Sequence, residues 1–183
     1  MKTTKLFLLI ALFYYPMSVF SQIKSAELTA AGLTCSMCSK AIYTALMKLP
    51  EIKKIDVDLN KSTYLIEFKQ DSEIELDHLK KQVESSGFTV AALTVKAQFN
   101  QVEVFNDAHI TLAGINLHFL NVTKQKLNGE VMITIVDKGF VPNKLNAKYS
   151  KYTEMKCFKT GQMAACCTAN KELKSNRIYH VII

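Results

Sequence analysis

Gly32-Leu33-Thr34-Cys35-Ser36-Met37-Cys38 is the stretch on which the fold of this chain turns. Before it, Ala26 to Leu33 reads as a strand; after it comes a helix whose apolar positions Ile42, Ala45, Leu46 and Leu49 fall at the i, i+3, i+4, i+7 spacing of one buried face. Pro50 stops that helix. Further out, Ile55, Val57 and Leu59 alternate with Lys54, Asp56 and Asp58, and Tyr64, Ile66 and Phe68 alternate with Leu65 and Glu67. The short polar join Asn60-Lys61-Ser62 predicts an antiparallel hairpin between these strands. Leu76, Leu79 and Val83 signal a second helix ending near Gly87, and Thr89 to Val95 a last strand. The order βαββαβ over residues 25–95 predicts two helices on one face of a four-stranded antiparallel sheet, the ferredoxin-like arrangement.

Two cysteines separated by two residues, the second at a helix start, can aim both sulfurs at one point on an exposed loop. The unpaired N–H groups of the first helical turn favour an anionic sulfur there. Thiolates are soft donors suited to copper(I), and mercury(II) and zinc(II) accept the same pair. A two-sulfur site leaves room for an incoming third ligand, which permits transfer to a partner. A thioredoxin-like redox pair would need a different strand order and a second proline beside the cysteines, and a four-cysteine zinc site would need a partner pair nearby. Soft-metal carriage by Cys35 and Cys38 therefore leads.

The same loop, the amphipathic helix, the Val57-Asp58-Leu59 strand and the Ser86-Gly87-Phe88 turn resemble the heavy-metal-associated domain, a family that includes copper chaperones and secreted mercury-binding proteins. The resemblance covers residues 25–95 and implies metal ligation by Cys35 and Cys38. It also implies that Leu33 packs beneath the loop where the family usually has Met, that Met37 points to solvent, and that Phe88 lies near the metal. There Phe88 either shields the ion or is simply core. His78, on the polar side of the second helix, reads as a surface residue.

Residues 97–183 read as strands and turns. Gln101 to Phe105, Ile110 to Phe119, Gly129 to Val136, Tyr152 to Phe158 and Ile178 to Ile183 are the strands, and Asn106-Asp107, Asn128-Gly129 and Lys138-Gly139 supply turn chemistry. Five strands fit a small all-β barrel or sandwich as a second domain, with the boundary near Lys96. Two arrangements suit its cysteines. A disulfide from Cys157 to Cys166 or Cys167 would staple the loop between them, or Cys157, Cys166 and Cys167 would join His180 or Met163 in a second soft-metal site. His109 and His118 read as packing or surface residues.

Residues 1–21 carry Lys2 and Lys5, the apolar run Leu6 to Tyr15 and the small-residue end Val19-Phe20-Ser21, the pattern of a cleaved signal peptide. Export would put the mature chain, residues 22–183, in an oxidising compartment, the periplasm in a double-membraned bacterium. The net charge of +7 is scattered along the chain without aromatic stacking residues between the basic groups, which excludes a nucleic-acid footprint. No nucleophile-base pair, phosphate-cradling loop or paired acids argue for an enzyme. The expectation is an exported copper(I) carrier that hands its ion to a metal-transporting membrane protein or to its own second domain. Scavenging of mercury and thiol-disulfide exchange are the rivals.

Overall fold

The computed structural model describes residues 23–33, 36–70, 72–164, 167 and 175–183. The leader read at 1–21, together with Cys35 and Cys166, lies outside the described residues. Among the described residues no helix is long and apolar enough to cross a membrane.

The first half follows its periodicity. β1 (Ile23–Ala31), α1 (Ser36–Leu46), β2 (Ile52–Asp58), β3 (Thr63–Phe68), α2 (Leu76–Ser85) and β4 (Thr89–Val104) occur in the expected order. Ile42, Ala45, Leu46 and Leu49 are all buried, as the helical spacing requires. Tyr64, Ile66 and Phe68 on β3 point inward while Leu65 and Glu67 point outward. β1 pairs antiparallel with both β3 and β4, and β2 pairs with β3. β2 is an edge strand, which leaves the apolar Val57 exposed where alternation alone would bury it.

The second half is not an all-β unit. β4 continues through Lys96 to Val104, and β7 (Gln125–Ile135) pairs with it along most of its length. One eight-stranded sheet results, in the order β2-β3-β1-β4-β7-β8-β6-β5, with β5 (His109–Leu112), β6 (Ile115–Phe119) and β8 (Ile178–Ile182) at its far end. A single apolar cluster runs through both halves, joining Leu28, Leu46 and Leu79 to Phe99, Phe119 and Tyr179.

Three local expectations are corrected. Ile110 to Phe119 is a hairpin, broken at Ala113 and Gly114, both at positive φ. Asn128-Gly129 is no turn: it lies inside β7, opposite an irregularity in β4 where the register shifts between Phe99 and Val102. Tyr152 to Phe158 is not a strand. After α3 (Asn143–Tyr149), Ser150–Tyr152 forms a 3-10 turn, and Cys157 opens the short helix α4 (Cys157–Thr160). A strand at 152–158 would need a pairing edge, yet β8 already sits between β7 and β6, and the segment instead covers the sheet face.

Candidate metal centre

Gly32 at φ +84° turns the chain out of β1 into the cysteine loop, a conformation in which a residue with a Cβ is strained. Cys38 follows in the first turn of α1, partly buried. That turn carries no acidic side chain, so its N–H groups face no competing carboxylate of their own. Met37 faces solvent, as the sequence implied. Leu33 and Phe88 are partly buried and pack against the core, with Phe88 Cδ1 3.9 Å from the point where a Cβ on Gly32 would stand. Phe88 thus packs beside Gly32, where the chain leaves β1. His78 is half exposed and pairs with Glu75, its Nε2 3.1 Å from the carboxylate.

A buried polar pair anchors the start of α1. The Ser39 and Tyr64 hydroxyls lie 2.9 Å apart, and the Tyr64 hydroxyl donates to the Ser39 carbonyl at 3.2 Å. Burial pushes the Tyr64 phenol above its usual range, Ser39 opposes this, and negative charge at Cys38 adds to it. Tyr64→Phe is expected to cost about 1 kcal/mol by leaving Ser39 without its partner. Urea unfolding of the metal-free protein would show it as a lower midpoint at unchanged slope.

Residues matched by the sequence pattern of the heavy-metal-associated domain are 27–89. The mercuric transport protein periplasmic component of Acinetobacter calcoaceticus is 30% identical over 84 residues, taking in 46% of this chain and 91% of that protein. This chain belongs to the heavy-metal-associated domain family. The copper chaperone CopZ of Staphylococcus epidermidis is 29% identical over 59 residues, 32% of this chain and 85% of its own. A solved CopZ metallochaperone, 24% identical, covers 37% of this chain and 98% of its own with a TM-score of 0.34. The heavy-metal-associated domain accounts for residues 27–89, and the described part of the candidate metal loop is Gly32, Leu33 and the helix start carrying Cys38.

Part of the set named for a second centre is brought together. Cys157 and Cys167 are buried together with Ile178, packed by Met155 and Met163. His180 is fully buried, its Nδ1 2.6 Å from Asp137 Oδ1, and Phe158 packs edge-on against its ring. Besides Cys167 and Met163, which its loop spacing pointed to, Cys157 has a second set of neighbours. His118 Nδ1 lies 3.6 Å from Cys157 Sγ, and donor atoms of His109, His118 and Cys157 all fall within 4.8 Å of one another.

The sheet register builds this cluster. β5 pairs antiparallel with β6 so that His109 stands opposite His118, and β6 pairs parallel with β8 so that His118 stands opposite His180. Three of the protein's four histidines therefore form one row across three adjacent strands. Burial, reinforced by His180 and His109 and opposed by Asp107, pushes His118 down to about 4. Burial and His180 lower His109 in the same way, again against Asp107. Both rings are thus neutral near pH 7, the form that carries a lone pair. The one sequence signal for this row was the placement of each histidine within a strand pattern.

Proposed function

We propose that this protein is an exported carrier that holds copper(I) between the thiolates of Cys35 and Cys38 and passes it by ligand exchange to a metal-transporting membrane protein, without catalysing a covalent step. The observation that carries this reading is Cys38 in the first turn of α1, at the mouth of a glycine-turned loop in a heavy-metal-associated domain. Two soft donors on an open loop bind a thiophilic ion tightly yet leave its third position accessible. Similarity to a copper chaperone supports the copper assignment. Similarity to a periplasmic component supports an oxidising compartment outside the cytoplasm, in keeping with the leader read at residues 1–21.

Mercury(II) is the second reading, favoured by the 30% identity to a mercuric transport component across 91% of that protein. An anaerobic copper(I) titration of the reduced chain against a chromophoric chelator, repeated with mercury(II), separates the two. Cys35→Ser with Cys38→Ser is expected to abolish the tightest copper(I) equivalent. Equal, weak competition by parent and variant would overturn the copper reading, and tight mercury(II) capture lost in the same variant would then replace it.

A further inference from the structure

We propose that His109, His118 and Cys157 form a second metal site, with His180 adjoining it in the same row, in the part of the chain that the heavy-metal-associated domain does not cover. The ion is a soft or borderline first-row metal, copper(I) or zinc(II), because imidazoles with one thiolate suit these two.

The ring nitrogens are arranged as ligand and support. His118 Nε2 is 2.8 Å from Asp107 Oδ1, which leaves Nδ1 turned to Cys157 Sγ at 3.6 Å. His180 Nδ1 is 2.6 Å from Asp137 Oδ1, which leaves Nε2 buried and without a hydrogen-bond partner. His109 Nε2 is likewise buried and unpartnered. A carboxylate on the far nitrogen is how metal-binding imidazoles are oriented and made more basic. Histidines serving only to pack would leave two buried nitrogens unsatisfied, each at a cost of about 1–3 kcal/mol. A metal ion bonded to those nitrogens would remove that cost.

The row is also placed for loading. His118 and His180 are fully buried, whereas His109 is partly exposed on β5, the edge strand of the sheet. The His109 and His118 rings stack with centroids 4.3 Å apart and planes 23° apart, so one ion at bonding distance cannot lie in both ring planes as they stand. Binding requires the His109 ring to turn out of this stack until its lone pair meets that of His118. The rotation takes place on an edge strand, at a residue that is partly exposed. Cys157 approaches from α4 and Met155 and Met163 pack around it, which keeps the sulfur side of the site dry.

The test uses the full mature chain carrying Cys35→Ser and Cys38→Ser, reduced and anaerobic, so that its outcome is independent of the carrier reading. Cobalt(II) serves as the spectroscopic stand-in for zinc(II), and copper(I) is titrated separately against a chelator. The expected result is one bound equivalent, with a sulfur-to-cobalt charge-transfer band that Cys157→Ser removes. His109→Asn, at a partly exposed edge position, should weaken binding by more than the about 10–100-fold that loss of a supporting partner costs. It keeps the test open should Cys157→Ser fail to fold. Tighter retention of copper(I) or of zinc(II) in competition identifies the ion. Failure of the chain to bind either metal, or a cobalt spectrum and affinity unchanged in both variants, would overturn the site.

Discussion

Arg177→Ala is expected to lower the unfolding free energy by about 3 kcal/mol, because it leaves a buried carboxylate without its counter-charge. Arg177 joins parts of the chain that are far apart in sequence. Its Nε donates to Asp77 Oδ2 at 2.7 Å, its Nη2 stands 2.9 Å from Asp137 Oδ2, and its Nη1 donates to the Gly161 carbonyl at 3.2 Å. The guanidinium also lies over the Tyr179 ring, 4.1 Å from its centroid, and the Tyr179 hydroxyl donates to Asp77. Asp137, at 6% side-chain exposure, is the group that decides the magnitude, since a surface pair would contribute far less. Asp137 also holds His180, so the variant should loosen the histidine row as well as the fold.

The same contact has a pH signature. Burial works to raise the Asp77 carboxyl, but hydrogen bonding and charge from Arg177, with help from Lys80, outweigh it and hold the group below its ordinary range. A carboxyl depressed on folding contributes stability that is fully present above its unfolded pKa, near 4, and is lost as pH falls through its lower folded value. Acidification from about pH 5 downward should therefore cost the parent chain more stability than it costs Arg177→Ala. Urea midpoints measured for both chains across that interval would show the difference. Parallel acid slopes would mean that Arg177 does not set the Asp77 ionisation.

Phe99→Ala is expected to cost about 3–5 kcal/mol and to do so in one unfolding transition rather than one of two. Phe99 is fully buried in β4, paired with Gly129 across the ladder, and meets Phe119 edge-on at 6.3 Å between centroids. Its cavity would open in the apolar cluster shared by the heavy-metal-associated domain and the strands beyond it. Far-ultraviolet dichroism and tyrosine fluorescence should then shift together on thermal unfolding. A chain divided at Lys96 would instead keep an unchanged transition for the first half.

The first half could be read from the sequence because its information is local. Helical spacing in Ile42, Ala45, Leu46 and Leu49 and alternation in Tyr64, Ile66 and Phe68 each report a buried face, and every one of those residues is buried. The Cys35–Cys38 spacing, and the place of Cys38 at a helix start, needed nothing beyond neighbouring residues. α3 was not read from the sequence: Pro142 stands at its N-cap and Leu145 and Tyr149 lie four residues apart, but a pattern confined to 7 residues does not set a helix apart from the strands around it.

Sequence alone thus determined the βαββαβ order, the buried face of each helix and the place of Cys38 at the start of α1. Tertiary structure decided that β4 runs on into a shared sheet, that 152–158 lies across that sheet instead of joining it, and that His109, His118 and His180 form a row. The physical reason is register. Period-2 alternation shows which face a strand residue takes, but which residue stands beside it across a parallel pair such as β6 and β8 is set by long-range packing that no local window contains.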